Sequence, residues 1–311
     1  MISCTEFIPS YSELFSYLED NHGREEVSRF WDYLFEPDGK GIPLIGFIER
    51  EGIKGCWSYW KGTLNEEAAD FTMYLNEKRG FYHNVMHHCP SKGRLLELKE
   101  EIGIEPYHDY CLHCDLYRLA AEKCGLKYIY NFNGTDKAAC SMLIYDPKVF
   151  DGRVIIDEDT LIMDRKASDN EYFHLDFHSS LNMGSHYVGE KFGKDELVAY
   201  LTRYTKNVYR PVLEAIKEKG LQAIADKITD TYEKEHALDV LTLDLSENKL
   251  SVKVSECPAV KHLTGTGRTM SPWYVYTTTV VMETLAQAGG YKFEMISYDP
   301  ATGAAEYCFT A

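Results

Sequence analysis

Two thiols and two imidazoles fall within the stretch Tyr107-His108-Asp109-Tyr110-Cys111-Leu112-His113-Cys114. Thiolate and imidazole are the donors zinc favours, and three Cys with one His is a common structural set. A helix beginning near His108 puts His108, Cys111 and Cys114 along one stripe. Cys89, in the upstream cluster His87-His88-Cys89-Pro90, can complete four ligands. The expected metal set is therefore Cys89, His108, Cys111 and Cys114. The same residues allow a second chemistry, in which a helix N-terminus and a nearby imidazolium activate a nucleophilic thiolate such as Cys111. His113, on the other side of that helix, is placed for proton transfer. A C-x2-C pair can also pack as two small hydrophobes.

A further constellation is Phe173-His174-Leu175-Asp176-Phe177-His178. On a strand, His174, Asp176 and His178 share a face; on a helix, His174 and His178 do. Either arrangement suits a metal or an acid–base pair at a pocket mouth. The alternative is a helix start, with Asp176 as cap and His178 half-buried. No Walker, Rossmann, G-x-S-x-G or H-E-x-x-H motif is present.

The elements that must position these groups occur twice. N-terminal helices cover 10–20 and 23–35, Pro37-Asp38-Gly39 signals a turn, and a pair of short helices covers 44–61. Strand patterns follow at 71–75 and 80–88, then a helix over 109–124 and strands at 127–133 and 139–146. In the second half, helices are expected at 177–191, 194–204, 208–219 and 221–235. A hairpin of 241–245 with 250–254, a helix near 273–288 and strands at 291–298 and 305–310 complete it. Cys89-Pro90 lines up with Cys257-Pro258, Pro106-Tyr107 with Pro272-Trp273, and Cys140 with Cys308. The expectation is an α+β tandem duplication, each half N-terminal helices followed by a ββαββ antiparallel unit. The first repeat spans 1–150 and carries the Cys/His-rich site. A connector spans 151–170, with Val154-Ile155-Ile156 hinting at an extra strand, and a degenerate second repeat spans 171–311. Cys111 and Cys114 align with Thr277 and Val280, so the fold itself does not demand those thiols.

A chain of 311 residues with 44% hydrophobic residues can bury two cores of ordinary size. The formal charge of −16 argues against binding nucleic acid through its phosphates. No run of eighteen apolar residues could span a bilayer. The start, Met1-Ile2-Ser3-Cys4-Thr5-Glu6, lacks a basic segment followed by an apolar core. Nine cysteines, an odd number, read as reduced thiols of a cytoplasmic protein.

The run C-P-x4-L, G-x-x-P-Y-x-x-Y-C-x-x-C, a helix, G-L-x-Y and a late Cys, from Cys89 to Ile144, resembles the L-2-amino-thiazoline-4-carboxylic acid hydrolase-like family. A degenerate version runs from Cys257 onward. The ending Gly303-Ala-Ala-Glu-Tyr-Cys308-Phe309 is similar to the close of vinyl-4-reductase-type domains, small-molecule-binding modules that sometimes carry a cysteine-rich zinc site. The resemblance implies hydrolysis of a C–N bond in a small cyclic amidine or amide. Cys111 would then serve as nucleophile or ligand, and His113, or His178 with His174 and Asp176, would move protons. The alternative is a non-catalytic small-molecule-binding domain stiffened by zinc. Expected partners are a small-molecule substrate and, as an assembly option, a second copy of the chain.

Overall fold

The computed structural model describes residues 1–36, 42–167 and 170–311. The turn expected at Pro37-Asp38-Gly39 lies outside these. The chain opens with a 3-10 turn, Cys4–Glu6, and helices α1 (Phe7–His22), α2 (Arg24–Phe35), α3 (Pro43–Glu51) and α4 (Lys54–Glu66). Strands β1 (Asp70–Asn76) and β2 (Phe81–His88) form a hairpin, followed by α5 (Pro90–Ile102) and a 3-10 helix, Tyr110–Asp115, that runs into α6 (Leu116–Lys123). Strands β3 (Lys127–Asn131), β4 (Cys140–Tyr145) and β5 (Leu161–Arg165) complete the first sheet. Next come α7 (Phe177–Phe192), α8 (Lys194–Val208), α9 (Arg210–Lys219) and α10 (Leu221–Lys234). The chain ends with β6 (Leu241–Leu245), β7 (Lys249–Val254), α11 (Pro258–Gly265), α12 (Tyr276–Ala288), β8 (Lys292–Tyr298) and β9 (Ala305–Thr310). This is an α+β protein with two antiparallel sheets. Among the described residues, no helix is long and apolar enough to cross a membrane.

The contacts divide the chain into two compact units. The first-sheet unit comprises Leu18–Lys99 and Glu105–His174. The second-sheet unit comprises Met1–Tyr17, Glu100–Ile104 and Leu175–Ala311.

In the first-sheet unit the strands run in the order β3-β4-β2-β1-β5. Alternation along β1 sends Phe71, Met73 and Leu75 into the core, as the two-residue period of a strand requires. Tyr82 on β2 stacks flat on Trp60 of α4, ring centroids 5.3 Å apart. Ala120 and Ala121 of α6 join the same core. Helices α3 and α4 pack closely because Gly55 has no side chain: a Cβ there would lie 2.3 Å from the Phe47 carbonyl oxygen. Gly55→Ala is therefore expected to destabilise the protein by about 1–3 kcal/mol, seen as a lower urea midpoint; an unchanged midpoint would mean the helices slide apart freely.

In the second-sheet unit the order is β6-β7-β9-β8, the first sheet's path without β5. Here α12 and α10 pack against the sheet. Each hairpin is separated from the next by two helices, α5 and α6 or α11 and α12, where the sequence suggested one. The expected helix over 109–124 starts as the tighter 3-10 form and turns α-helical only at Leu116. The strand hinted at Val154 to Ile156 is absent; the added strand is β5, a few residues later.

Strand register corrects one residue match. Cys140 pairs with Met86, three residues before Cys89. Val254, three residues before Cys257, pairs with Ala305. Cys140 therefore corresponds to Ala305, while Cys308 lies opposite Ser251, three positions along the strand and on the other face.

Candidate functional site

The helix-facing side of the first sheet presents Tyr82, Asn84 and Met86 from β2, with Cys140 and Met142 of β4 beside them. Asn84 is 1% exposed, and neither its Oδ1 nor its Nδ2 has a hydrogen-bond partner. Cys89 follows β2 and is fixed by its own N–H, which donates to the Ala138 carbonyl at 2.6 Å. Above this end of the sheet lies the 3-10 helix, whose three-residue turn stacks Cys111 over Cys114. All four thiols, Cys89, Cys111, Cys114 and Cys140, are free and half-buried. The Tyr130 hydroxyl donates to Cys140 Sγ at 3.3 Å.

His113 Nδ1 meets the Tyr110 carbonyl oxygen. A carbonyl only accepts, so the proton sits on Nδ1 and Nε2 is the accepting nitrogen of the ring. That nitrogen faces Cys114 Sγ at 3.8 Å. Burial holds the His113 imidazole below its ordinary value, with the Tyr110 bond and the Glu67 charge opposing it. Burial pushes the Cys114 thiol up to about 12, and the charges of Glu67 and Asp115 act in the same direction. Burial and the neighbouring Cys114 raise Cys111 to about 12. Cys140 rises to about 11 through burial, and Cys89 well above the usual thiol range. These groups rest as thiols near neutrality.

The remaining member is Glu67, just past the end of α4. It is half-buried, and desolvation raises its carboxyl to about 7, with His174 and His113 pulling down and Glu66 pushing up. A carboxyl poised there can both take and give a proton near neutral pH. Its neighbour Glu66 holds the buried His174 through Nδ1.

His108 does not join the thiols. Its side chain is 63% exposed, with Nε2 at 3.8 Å from Glu19 and 3.6 Å from Asp109. Arg24 also reaches Asp109 at 3.2 Å, and Tyr107 donates to Glu19, so this loop is pinned by its acidic partners. Among the described residues, three metal-capable side chains bring ligand atoms within 4.8 Å of one another at Cys4, His178 and Glu235. Cys89, His108, Cys111 and Cys114 do not form such a group, so as placed they do not fit a zinc ion.

The trio His174, Asp176 and His178 takes three separate sets of partners. His174 pairs with Glu66, as above. Asp176 is the N-cap residue of α7, gripped by His262 at 2.7 Å and by both Arg268 terminal nitrogens at 2.9 and 3.0 Å. His178 is fully buried, not half-buried; Nε2 lies 2.9 Å from Glu235 Oε2 and Nδ1 lies 3.3 Å from the Tyr274 hydroxyl. The Cys4 N–H donates to Glu235 Oε1 at 2.6 Å. Burial alone would raise the Glu235 carboxyl, but the hydrogen bond and charge of His178 with the Cys4 amide hold it at about 2.

Sequence reasoning missed Glu67, Glu235 and Cys4. Glu66-Glu67 reads as a solvated helix end, and Glu235 as one more acidic residue closing a helix. Only the proximity of Glu67 to the first strand could have suggested that it turns inward. Comparison with protein-family models, with curated proteins and with solved structures finds no match for this chain. The molecule is thus defined by its own geometry: an α+β protein with a thiol–imidazole–carboxyl cluster over its first sheet.

Proposed function

We propose that the first-sheet unit is a small-molecule hydrolase that cleaves a C–N bond of a cyclic amidine or amide. The observation that carries this reading is the cluster of Cys114, His113 and Glu67, a thiol, a correctly tautomerised imidazole and a carboxyl poised near neutrality. Cys114 attacks the electrophilic carbon as its proton passes to His113 Nε2; no resting thiolate is needed. Glu67, protonated, gives its proton to the departing nitrogen and then acts as base toward water, which releases the product from sulfur. The net reaction adds one water. Cys111 sits one turn before Cys114 on the same 3-10 helix, close enough for each to influence the other's charge. Asn84, with amide oxygen and nitrogen both unspent, suits the paired donor and acceptor of an amide or amidine edge.

In chain order the two halves repeat four helices, then a hairpin, two helices and a second hairpin, with matching strand order. Gly23 and Gly193 open α2 and α8 with φ of 85° and 90°, a conformation that suits glycine alone. We infer a tandem duplication in which the second copy lacks the reactive thiols. The nine free cysteines support a reducing compartment such as the cytoplasm.

The test is to incubate the full chain with a panel of five-membered cyclic amidines and lactams and to follow the mass gain of one water. Turnover lost in Cys114→Ser and His113→Gln supports the reading. Turnover that survives both, or a panel untouched by the wild type, overturns it.

A further inference from the structure

We propose that the second-sheet unit holds a zinc ion between Cys4, His178 and Glu235. Three separate segments deliver these side chains: the buried N-terminal 3-10 turn, the first turn of α7, and the residue that caps α10. Their ligand atoms lie within 4.8 Å of one another, and all three residues are buried. One sulfur, one nitrogen and one oxygen form a donor set suited to zinc and poorly suited to calcium or magnesium, which want oxygen alone.

The outer partners are already in place. A metal-bound imidazole needs its other nitrogen fixed, and here the Tyr274 hydroxyl lies 3.3 Å from His178 Nδ1. A metal-bound carboxylate needs its second oxygen held, and the Cys4 amide donates to Glu235 Oε1 at 2.6 Å. Ser3 locks the turn that presents Cys4 through a capping box with Glu6. On binding, Cys4 releases its thiol proton and His178 its Nε2 proton, both to solvent. His178 keeps the proton on Nδ1, toward Tyr274, and offers Nε2. Thiolate and carboxylate together then balance the two positive charges of the ion. This site shares no residue with the thiol cluster of the first-sheet unit, so the two assignments stand or fall separately.

The experiment uses the full chain purified without chelator, with zinc content read by elemental mass spectrometry. The chelated protein is then titrated with cobalt(II), whose thiolate charge-transfer band reports a sulfur ligand. The expected result is near-stoichiometric zinc in the wild type and in Cys111→Ser/Cys114→Ser, and little in Cys4→Ser or Glu235→Gln. Should those two fail to fold, Tyr274→Phe serves as a milder variant, expected to weaken cobalt binding about 10- to 100-fold with the fold intact. Zinc retained by Cys4→Ser but lost from Cys111→Ser/Cys114→Ser would overturn the assignment. So would a metal-free wild type that shows no thiolate band with cobalt, which would leave His178 and Glu235 as a structural pair.

Discussion

Replacing Glu67 by Gln is expected to make the protein more stable above neutral pH while suppressing its hydrolytic turnover. The ordinary value of this carboxyl is 4.5, and in the folded chain it stands at about 7. Between those values the native state keeps a proton that the unfolded chain has released, so stability falls as pH rises through that window. The full shift corresponds to about 3 kcal/mol, and partial solvent access reduces this to about 1–2 kcal/mol. Gln cannot ionise. Wild type and variant should therefore unfold alike near pH 4 and diverge by that amount at pH 8, in favour of the variant. Turnover should drop about 10²- to 10⁴-fold, the usual worth of a positioned acid–base group. A stability difference that stays flat from pH 4 to 8 would show that Glu67 titrates as an ordinary carboxyl.

Lys227→Ala is expected to cost about 3–5 kcal/mol, the cost of stranding one member of a buried ion pair. Lys227 is 6% exposed, with Nζ 2.6 Å from Glu6 Oε1 and 4.4 Å from the centre of the Tyr209 ring. Tyr209 donates to the other Glu6 oxygen at 2.7 Å, and Tyr204 donates to Tyr209 at 3.2 Å. Burial alone would raise the Glu6 carboxyl, but the Lys227 charge and hydrogen bond hold it below its ordinary value. Alanine would leave that carboxylate without a cationic partner, held only by the Tyr209 hydroxyl and the Ser3 N–H. The melting temperature should fall by roughly 10 °C. Lys227→Met combined with Glu6→Gln should recover much of the loss, since Gln still accepts from Tyr209 and no charge is left buried. Purely additive losses in that double-mutant cycle would mean the two side chains are not energetically coupled.

The hairpins were legible because β1 and β2 alternate cleanly, with Phe71, Met73 and Leu75 on one face. The helices of the second half were legible from their spacing, and Gly193 and Gly220 mark where they begin and end. The thiol-rich stretch was recognisable, but the local geometry that decides its chemistry was not. A 3-10 turn and an α-turn carry the same residue pattern here, and the chain adopts the former over Tyr110–Asp115. His108 was read from spacing alone, whereas Glu19 and Asp109 draw it outward. The match of Cys140 with Cys308 followed identical letters across connections of unequal length, which strand pairing overrides. Glu67, Glu235 and Cys4 acquire their character from what surrounds them in space, and no neighbour in sequence announces it. Strand β5 escaped notice because Leu161 and Ile162 are exposed on an outer strand and show no buried alternation.

That added strand has a consequence for how the chain reaches its native state. The β1–β2 hairpin closes over a short turn and can form as soon as its residues are available. Strand β5 pairs with β1 from far away: Thr72 and Asp164, joined by a side-chain hydrogen bond, are 92 residues apart in sequence. During synthesis the open edge of β1, with its unspent backbone groups, must wait for that distant segment to emerge. The first sheet is therefore the slow one to close, and the interval before β5 docks is when the nascent protein is most exposed to pairing with other chains.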